Sequence, residues 1–317
     1  LDLVRVTESA ALAAGRYVGR GDKNGGDKAA VDAMRLVMNT IEMKGTIVIG
    51  EGEKDKAPML FNGEVLGTGD SPELDIAVDP IDGTRPMALG LGNTIATVSL
   101  APKDTMFNPG PLVYMHKIAV GPEASDVIDL DAPVKDNLEK IARAKGKDVE
   151  DLTIMILNRD RNAVLIDDVR ACGARIMLIQ DGDVAGAIAT CLPETGVDAL
   201  MGIGGTPEGV LAACALRCIG GNMQGRLYAR TPEEARHGQE LGFDFNRVLF
   251  LQDMVSSEDV FFAATGITNG SLLKGVDYFP GGARTDSIVM RGLTGTIRKI
   301  TATHMLDRLS EISSIQY

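Results

Sequence analysis

Tryptophan is absent from this chain of 317 residues, and aromatic side chains of every kind make up only 4% of it. A core built without large rings must be filled by aliphatic side chains and by methionine, of which there are 14. Cysteine is scarce too. Of Cys172, Cys191, Cys214 and Cys218, only the last two are close, at the i, i+4 spacing of a helix within alanine-rich sequence. That pattern reads as reduced, buried thiols rather than a disulfide framework or a zinc site, and it fits a cytoplasmic setting. The three histidines, His116, His237 and His304, stand far apart and read as core or surface positions, not as a cluster. Positive charge is also in deficit. A formal net charge of -12 speaks against a nucleic-acid partner, whose phosphates it would repel. An anionic substrate would then need local positive charge, from metal ions or a few placed Lys and Arg. No apolar run approaches the roughly 18 residues of a membrane span, so no membrane partner is expected. No secretory leader is legible, and the start at Leu1 rather than Met leaves what precedes it open. Internal repeats and low-complexity segments are lacking as well.

What remains is an ordinary globular composition, 44% apolar and long enough for one large domain or two ordinary ones. Its most informative stretch is Ala77-Val78-Asp79-Pro80-Ile81-Asp82-Gly83-Thr84. An apolar, β-leaning run ends there in two carboxylates and a hydroxyl. The strand is expected to stop at Asp79, and Pro80 and Gly83 to force a turn, because proline fixes φ and glycine tolerates unusual φ. Such a turn gathers Asp79, Asp82 and Thr84 into one small volume. Two carboxylates there repel each other unless a cation lies between them, and hard oxygen ligands suit Mg²⁺ or Mn²⁺. The competing reading is an acidic turn that only caps a helix.

Taken in order, residues 2–18 carry Leu3, Val6, Ala10, Ala13 and Tyr17 at a helical period. A glycine-rich loop follows. Asp27 is expected to open a second helix, either as its N-cap or as a carboxylate held near the metal site. Residues 45–49 read as a short buried strand with Glu51 and Glu53 just beyond it. This repeats the design at Asp79, and two such strands at one sheet edge would place a metal cluster there. Lysines at 54 and 56 flank Glu53, so Glu51 is the chosen ligand. Strands are expected over 95–101 and 112–120, the latter carrying Tyr114.

Near residue 125 the pattern becomes an alternation of helix and strand: helices over 135–144 and 163–172, strands over 152–157, 175–179 and 199–203. This implies an α/β fold with a parallel or mixed sheet, and places a domain boundary near 125. Sites in open α/β sheets collect at the carboxyl ends of strands. Three clusters satisfy that rule: Asn158-Arg159-Asp160-Arg161, Asp181-Gly182-Asp183, and Gly204-Gly205-Thr206-Pro207-Glu208-Gly209. In the last, Thr206 suits an N-cap, Pro207 the first helical position and Glu208 the first turn, while the paired glycines allow a ligand to approach the backbone. Beyond residue 222 the signals thin to strands over 260–266, 287–291 and 296–302.

Asp79-Pro80-Ile81-Asp82-Gly83-Thr84 resembles the metal-binding signature of the lithium-sensitive sugar-phosphatase superfamily, which includes inositol monophosphatases and fructose bisphosphatases. Further blocks resemble the bacterial class II fructose-1,6-bisphosphatases: Arg5-Val6-Thr7-Glu8-Ser9-Ala10-Ala11, Gly19-Arg20-Gly21-Asp22-Lys23-Asn24, Gly45-Thr46-Ile47-Val48-Ile49-Gly50-Glu51-Gly52-Glu53 and Gly202-Ile203-Gly204-Gly205-Thr206-Pro207-Glu208-Gly209. The resemblance runs from near residue 5 to the region around His304. It implies a layered α-β-α-β-α architecture with two mixed sheets, divided into a metal-binding phosphatase domain over 1–125 and a substrate-binding domain over 126–317. It implies metal-dependent hydrolysis of the 1-phosphate of fructose 1,6-bisphosphate, a step of gluconeogenesis, in a homo-oligomer (dimer or tetramer). Asp27, Glu51, Asp79, Asp82 and Glu208 would hold two or three Mg²⁺ or Mn²⁺ ions. Thr84 would hydrogen-bond the attacking water and pass its proton toward Asp27. Substrate contacts would come from Lys23, Asp82, Gly83, Thr84, Tyr114, Arg159, Asp160, Arg161, Asp181, Gly182, Asp183 and Gly205, with Arg159 and Arg161 gripping the phosphate that does not react. The plainer reading of these arginines is surface ion pairs with Asp160, Asp167 or Asp168, and that of Lys23 a solvated loop lysine. The alternatives in function are a sedoheptulose bisphosphatase, an inositol-type or nucleotide monophosphatase, and a non-catalytic sugar-phosphate-binding regulator.

Overall fold

The computed structural model describes residues 1–52, 59–313, 315 and 317. It is an α/β protein whose chain divides into two compact units, Leu1–Met106 with Ser257–Tyr317, and Phe107–Ser256. The change of sequence pattern near residue 125 therefore falls inside the second unit, and the first unit is completed by the end of the chain. Among the described residues no helix is long and apolar enough to cross a membrane.

The first unit is built on a mixed sheet, eight-stranded among the described residues. Its order is Asp277–Phe279, Gly282–Arg291, Phe261–Gly266, Ile95–Pro102, Glu73–Asp82, Lys44–Ile49 and Val65–Leu66, with Thr296–Met305 also paired to Gly282–Arg291. Helices Asp2–Gly15 and Lys23–Met38 pack on each other and on this sheet. Their shared core is aliphatic and methionine-rich, as the lack of large rings requires, with Met34, Met38, Met43 and Met87 among Val6, Ile47, Ile76 and Val98. A line of buried hydroxyls ties helix to sheet: Thr7 Oγ1 lies 2.7 Å from Thr265 Oγ1, which lies 2.8 Å from Ser287 Oγ.

Two local expectations are corrected here. Asp22, not Asp27, caps the second helix. Its Oδ1 accepts from Gly25 N at 2.8 Å, and the helix begins at Lys23, which leaves Asp27 in its second turn without a capping duty. The strand from Glu73 does not stop at Asp79 but runs to Asp82. It does so through a bulge, since Asp79 faces Thr97 and Asp82 faces Ile95, so one residue is extra on this strand. Pro80, which has no N–H to give a ladder, sits inside that bulge. The turn comes at Gly83, with φ 105°, and Thr84 opens the short helix Thr84–Leu89.

The second unit carries a mixed sheet, six-stranded among the described residues, in the order Leu249–Phe250, Asn222–Tyr228, Tyr114–Val120, Ala199–Gly205, Thr153–Leu157 and Arg175–Ile179. The last three are parallel to one another, and Tyr114–Val120 is antiparallel to both its neighbours. Helix Thr206–Ile219 is buried along Gly209–Leu216, including Cys214. All four cysteines are thiols. Thr206 is the first residue of that helix rather than its cap, which is Gly205, and Pro207 follows it. Strand Asn222–Tyr228 and helix Pro232–Glu240 lie where the sequence signals thinned.

In the first unit Glu8 is 8% exposed, and its Oε1 accepts from Thr285 Oγ1 at 3.4 Å. Thr285 Oγ1 also lies 2.8 Å from His304 Nε2. Burial pushes the Glu8 carboxyl up to about 7, against the Thr285 hydrogen bond and the charge of Arg5. Burial lowers His304. A raised carboxyl favours the fold in its protonated form, so its contribution is complete below the unfolded value near 4.5 and is lost as pH rises through 7. The lowered His304 works the other way, costing stability in acid. Glu8→Gln isolates the first effect. Denaturant unfolding at pH 5 and pH 8 should show the variant gaining on the parent by roughly 2.5 kcal/mol as pH rises. Parallel curves for the two chains would show that Glu8 does not titrate in this range.

Candidate active site

In the first unit the sheet itself sets the position of the carboxylates. Lys44–Ile49 and Glu73–Asp82 are parallel neighbours, with Ile49 opposite Ala77. Glu51 and Asp79 each stand two residues beyond that pair, at the same end of adjacent strands. Gly50 makes the exit from the first strand possible, because a Cβ there would meet Leu60 O at 2.1 Å. Glu51 N donates to that same carbonyl at 2.9 Å. Glu53 lies outside the described residues.

Asp79 is half-buried, and its Oδ1 accepts from Ile81 N at 3.0 Å, which fixes the carboxylate against the bulge. Asp82 is 2% exposed at the end of the strand. Thr84 is half-buried, and its hydroxyl donates to Ile81 O over a long 3.4 Å. Asp27 is half-buried, and its carboxyl is raised above the usual range by burial, opposed by the charge of Lys23. The preceding Gly26 packs against the Thr84–Leu89 helix: a Cβ there would meet Met87 Cε at 2.5 Å. Lys23 is exposed.

In the second unit the three predicted clusters do follow the ends of the parallel strands. Tyr114 lies opposite Gly205 on one neighbour and Tyr228 on the other. The Arg161 guanidinium sits 4.5 Å from the Tyr114 ring centroid and that of Arg230 5.3 Å, so the ring is flanked by two cations. Arg161 Nε donates to Ile203 O at 2.9 Å. Arg159 forms an ion pair with Asp181. Neither arginine pairs with Asp160, Asp167 or Asp168 among the described residues. Asp160 is exposed, and Asp167 lies 3.8 Å from Arg170.

Asp183 turns inward instead of facing solvent. Gly182, with φ 94°, starts its helix, and the carboxylate meets the buried Lys117 ammonium at 2.5 Å. Glu208 occupies the first turn of helix Thr206–Ile219. The residue is partly exposed, yet its Oε2 is sealed from solvent and has no hydrogen-bond partner. Burial first, and then the nearby Asp183, push this carboxyl up to about 7, while Lys117 pulls it down. Gly205 leaves the space that Glu208 fills: a Cβ there would fall 1.6 Å from Oε2.

Two residues of this unit escaped the sequence reading. Buried Asn162 donates to Leu157 O and Ile203 O at 3.0 and 3.2 Å and accepts from Ile203 N at 2.8 Å, locking the arginine loop to the neighbouring strand. Lys117 is a lone charge within the apolar strand Tyr114–Val120, a signal that was visible but unused.

The sequence profile of the family described as bacterial fructose-1,6-bisphosphatase, glpX-encoded, matches residues 1–304. That settles the kinship. The chain belongs to the bacterial class 2 fructose-1,6-bisphosphatase family. The fructose-1,6-bisphosphatase 1 class 2 of Escherichia coli (strain K12) is 46% identical over 321 residues, 97% of this chain and 95% of the relative. The fructose-1,6-bisphosphatase class 2 proteins of Escherichia coli O6:H1 and of Shigella flexneri match to the same extent, 46% identical over 97% of this chain.

The family is one of metal-dependent phosphatases, and the donor set fits a hard divalent ion. The candidate residues are carboxylates at strand and helix ends, and one buried oxygen, Glu208 Oε2, lacks a partner. Among the described residues no three His, Cys, Asp or Glu side chains form a ready-made metal cage, so the fit rests on donor chemistry and not on a preformed polyhedron. Gly205→Ala tests the Glu208 assignment. The added methyl collides only with the end of a flexible side chain, so the chain should fold. Its Mn²⁺-dependent rise in melting temperature should shrink to less than half that of the parent. An unchanged rise would remove Glu208 from the ligand set.

Proposed function

We propose that this chain hydrolyses the 1-phosphate ester of fructose 1,6-bisphosphate to fructose 6-phosphate and phosphate, using Mg²⁺ or Mn²⁺. The observation that carries this reading is the family match across nearly the whole chain. It is supported by acidic strand ends in the first unit and by arginines around Tyr114 in the second.

Glu51, Asp79, Asp82 and Glu208 are assigned as metal ligands, with Asp27 contributing. When bound, the ions neutralise phosphate oxygens, acidify a water and stabilise the leaving alkoxide. Thr84 is assigned to orient the attacking water. Its long bond to Ile81 O leaves the hydroxyl able to turn toward another partner. Asp27, freed from capping, is assigned as the proton acceptor. Backbone approach at Gly83 and Gly205, Lys23, and the polar groups of Asp160, Asp181, Gly182 and Asp183 are assigned to the substrate. Arg159 is already engaged by Asp181, so Arg161 is the better anchor for the distal phosphate. The terminal nitrogens of Arg161 have no hydrogen-bond partner among the described residues. A cytoplasmic setting is favoured by the four free cysteines, and a homo-oligomeric state, dimer or tetramer, is what the family kinship implies.

The deciding experiment is phosphate release with Mn²⁺ or Mg²⁺ on fructose 1,6-bisphosphate, sedoheptulose bisphosphate, an inositol phosphate and a nucleotide phosphate. Fructose 1,6-bisphosphate should give the highest kcat/KM, and excess chelator should abolish release. Full activity in chelator would remove the metal mechanism, and a preference for another substrate would replace the assignment. Arg161→Ala should raise KM for the bisphosphate tens-fold or more while lowering kcat less, since loss of one side of a close charge pair costs about 2–5 kcal/mol. A monophosphate substrate should be unaffected. Equal effects on both substrates would move Arg161 to the reacting phosphate or to the fold.

A further inference from the structure

Lys117 is 2% exposed, in the central strand of the second unit's sheet, an unusual place for an ammonium group. Glycine keeps room for the end of its side chain. At Gly204 a Cβ would stand 3.1 Å from Lys117 Cε and 2.2 Å from Asp183 Oδ2. The Nζ thus reaches two groups near the amino end of its own strand, at the carboxyl ends of Ala199–Gly205 and beyond Arg175–Ile179. It donates to Gly205 O at 2.9 Å and pairs with Asp183 Oδ2 at 2.5 Å.

Gly205 is the residue from which helix Thr206–Ile219 starts, and Glu208 Oε2 sits within the space where a Gly205 Cβ would be. The ammonium therefore holds a carboxylate from one helix start and a carbonyl from another. We infer that Lys117 is a positioning residue: by tying Asp183 to the Gly205 carbonyl it sets the pose of the corner that carries Glu208. This rests on the reading of Asp183 and Glu208 as substrate and metal residues.

The physics favours this role over a purely structural one. A buried ion pair adds little net stability compared with an apolar replacement, because desolvating both charges offsets their attraction. What it does supply is a fixed geometry. Here that geometry ends on a backbone carbonyl at the head of the helix bearing the sealed oxygen. Tyr114, three residues earlier, leaves the strand on the opposite face, so Lys117 serves the corner without entering the arginine-flanked side.

Lys117→Met keeps the stem and removes the charge and the donor. Two measurements test it: calorimetric titration with Mn²⁺ in the absence of substrate, and kcat and KM for fructose 1,6-bisphosphate. The variant should bind Mn²⁺ at least tenfold more weakly and show a KM at least tenfold higher, with a smaller change in kcat. A lower melting temperature with Mn²⁺ affinity and KM unchanged would make Lys117 structural and overturn the inference. If the variant fails to fold because Asp183 is stranded without its cation, Lys117→Met with Asp183→Asn removes both charges. That pair should still bind Mn²⁺ tenfold more weakly than Asp183→Asn alone; equal affinity, or a pair that also fails to fold, overturns the inference. The metal titration requires no turnover. A parent that takes up Mn²⁺ without cleaving the bisphosphate therefore strikes the proposed function alone, and a parent that takes up none overturns the role of Lys117.

Discussion

A carboxylate taken out of water with no cation beside it is costly to hold, and two such groups placed together repel strongly because little solvent screens them. Each unit of this chain takes acids out of water near the end of a strand. In the first unit Asp82 is buried where Glu73–Asp82 ends, and Asp79 is half-buried at the start of the bulge before it. The local chain supplies a donor, Ile81 N, to Asp79. In the second unit Asp183 has the Lys117 ammonium, while one oxygen of Glu208 has no partner. These are the means by which the folded chain holds acids out of water.

The charge of -12 makes the placement of arginine consequential. A chain so acidic repels an anion at long range, and the positive groups that would receive one are concentrated. Arg161 and Arg230 lie against the Tyr114 ring, and Arg159 is held by Asp181. The loop that carries Arg159 and Arg161 is fastened by Asn162 to the strand beside it. A guanidinium placed by its own Nε bond and an aromatic face loses less freedom on meeting a phosphate than a solvated lysine would.

Most helices and strands were legible because their periods are clean. The helix over Val134–Lys145 and the strand over Arg175–Ile179 match the pattern within a residue or two. That acids stand near the end of Glu73–Asp82 was legible, because Asp, Pro and Gly break a β pattern in a recognisable order, but the stop expected at Asp79 was three residues early. The N-terminus of the second helix was not, because two aspartates compete for it and only geometry shows that Asp22 reaches Gly25 N. Nor could sequence show that the strand continues past Pro80, since a bulge is a property of the pairing with Thr97 and Ile95. The metal role proposed for Glu51 came from the rule about strand ends, and that proposed for Glu208 from the resemblance to the family. Burial of Glu208 Oε2 became visible only once Gly205 and the helix start were seen together. Lys117 was overlooked because one lysine in an apolar strand has no local signature of its partners.

The first unit is assembled from the two ends of the chain, and this has a consequence for how the protein is made. Ser99 Oγ donates to Phe261 O across 162 residues of sequence, and strand Phe261–Gly266 pairs along its whole length with residues 95–100. The second unit is one continuous segment between them. During synthesis residues 107–256 can close on themselves as soon as they emerge, while Ile95–Pro102 waits with one edge unpaired. An unpaired strand edge is a template for the wrong partner, including the same strand of another nascent chain. Early closure of the second unit draws Met106 and Ser257 together and shortens the effective loop between the two halves of the first. The inserted unit would then act as an internal clamp that hastens completion of the sheet around it.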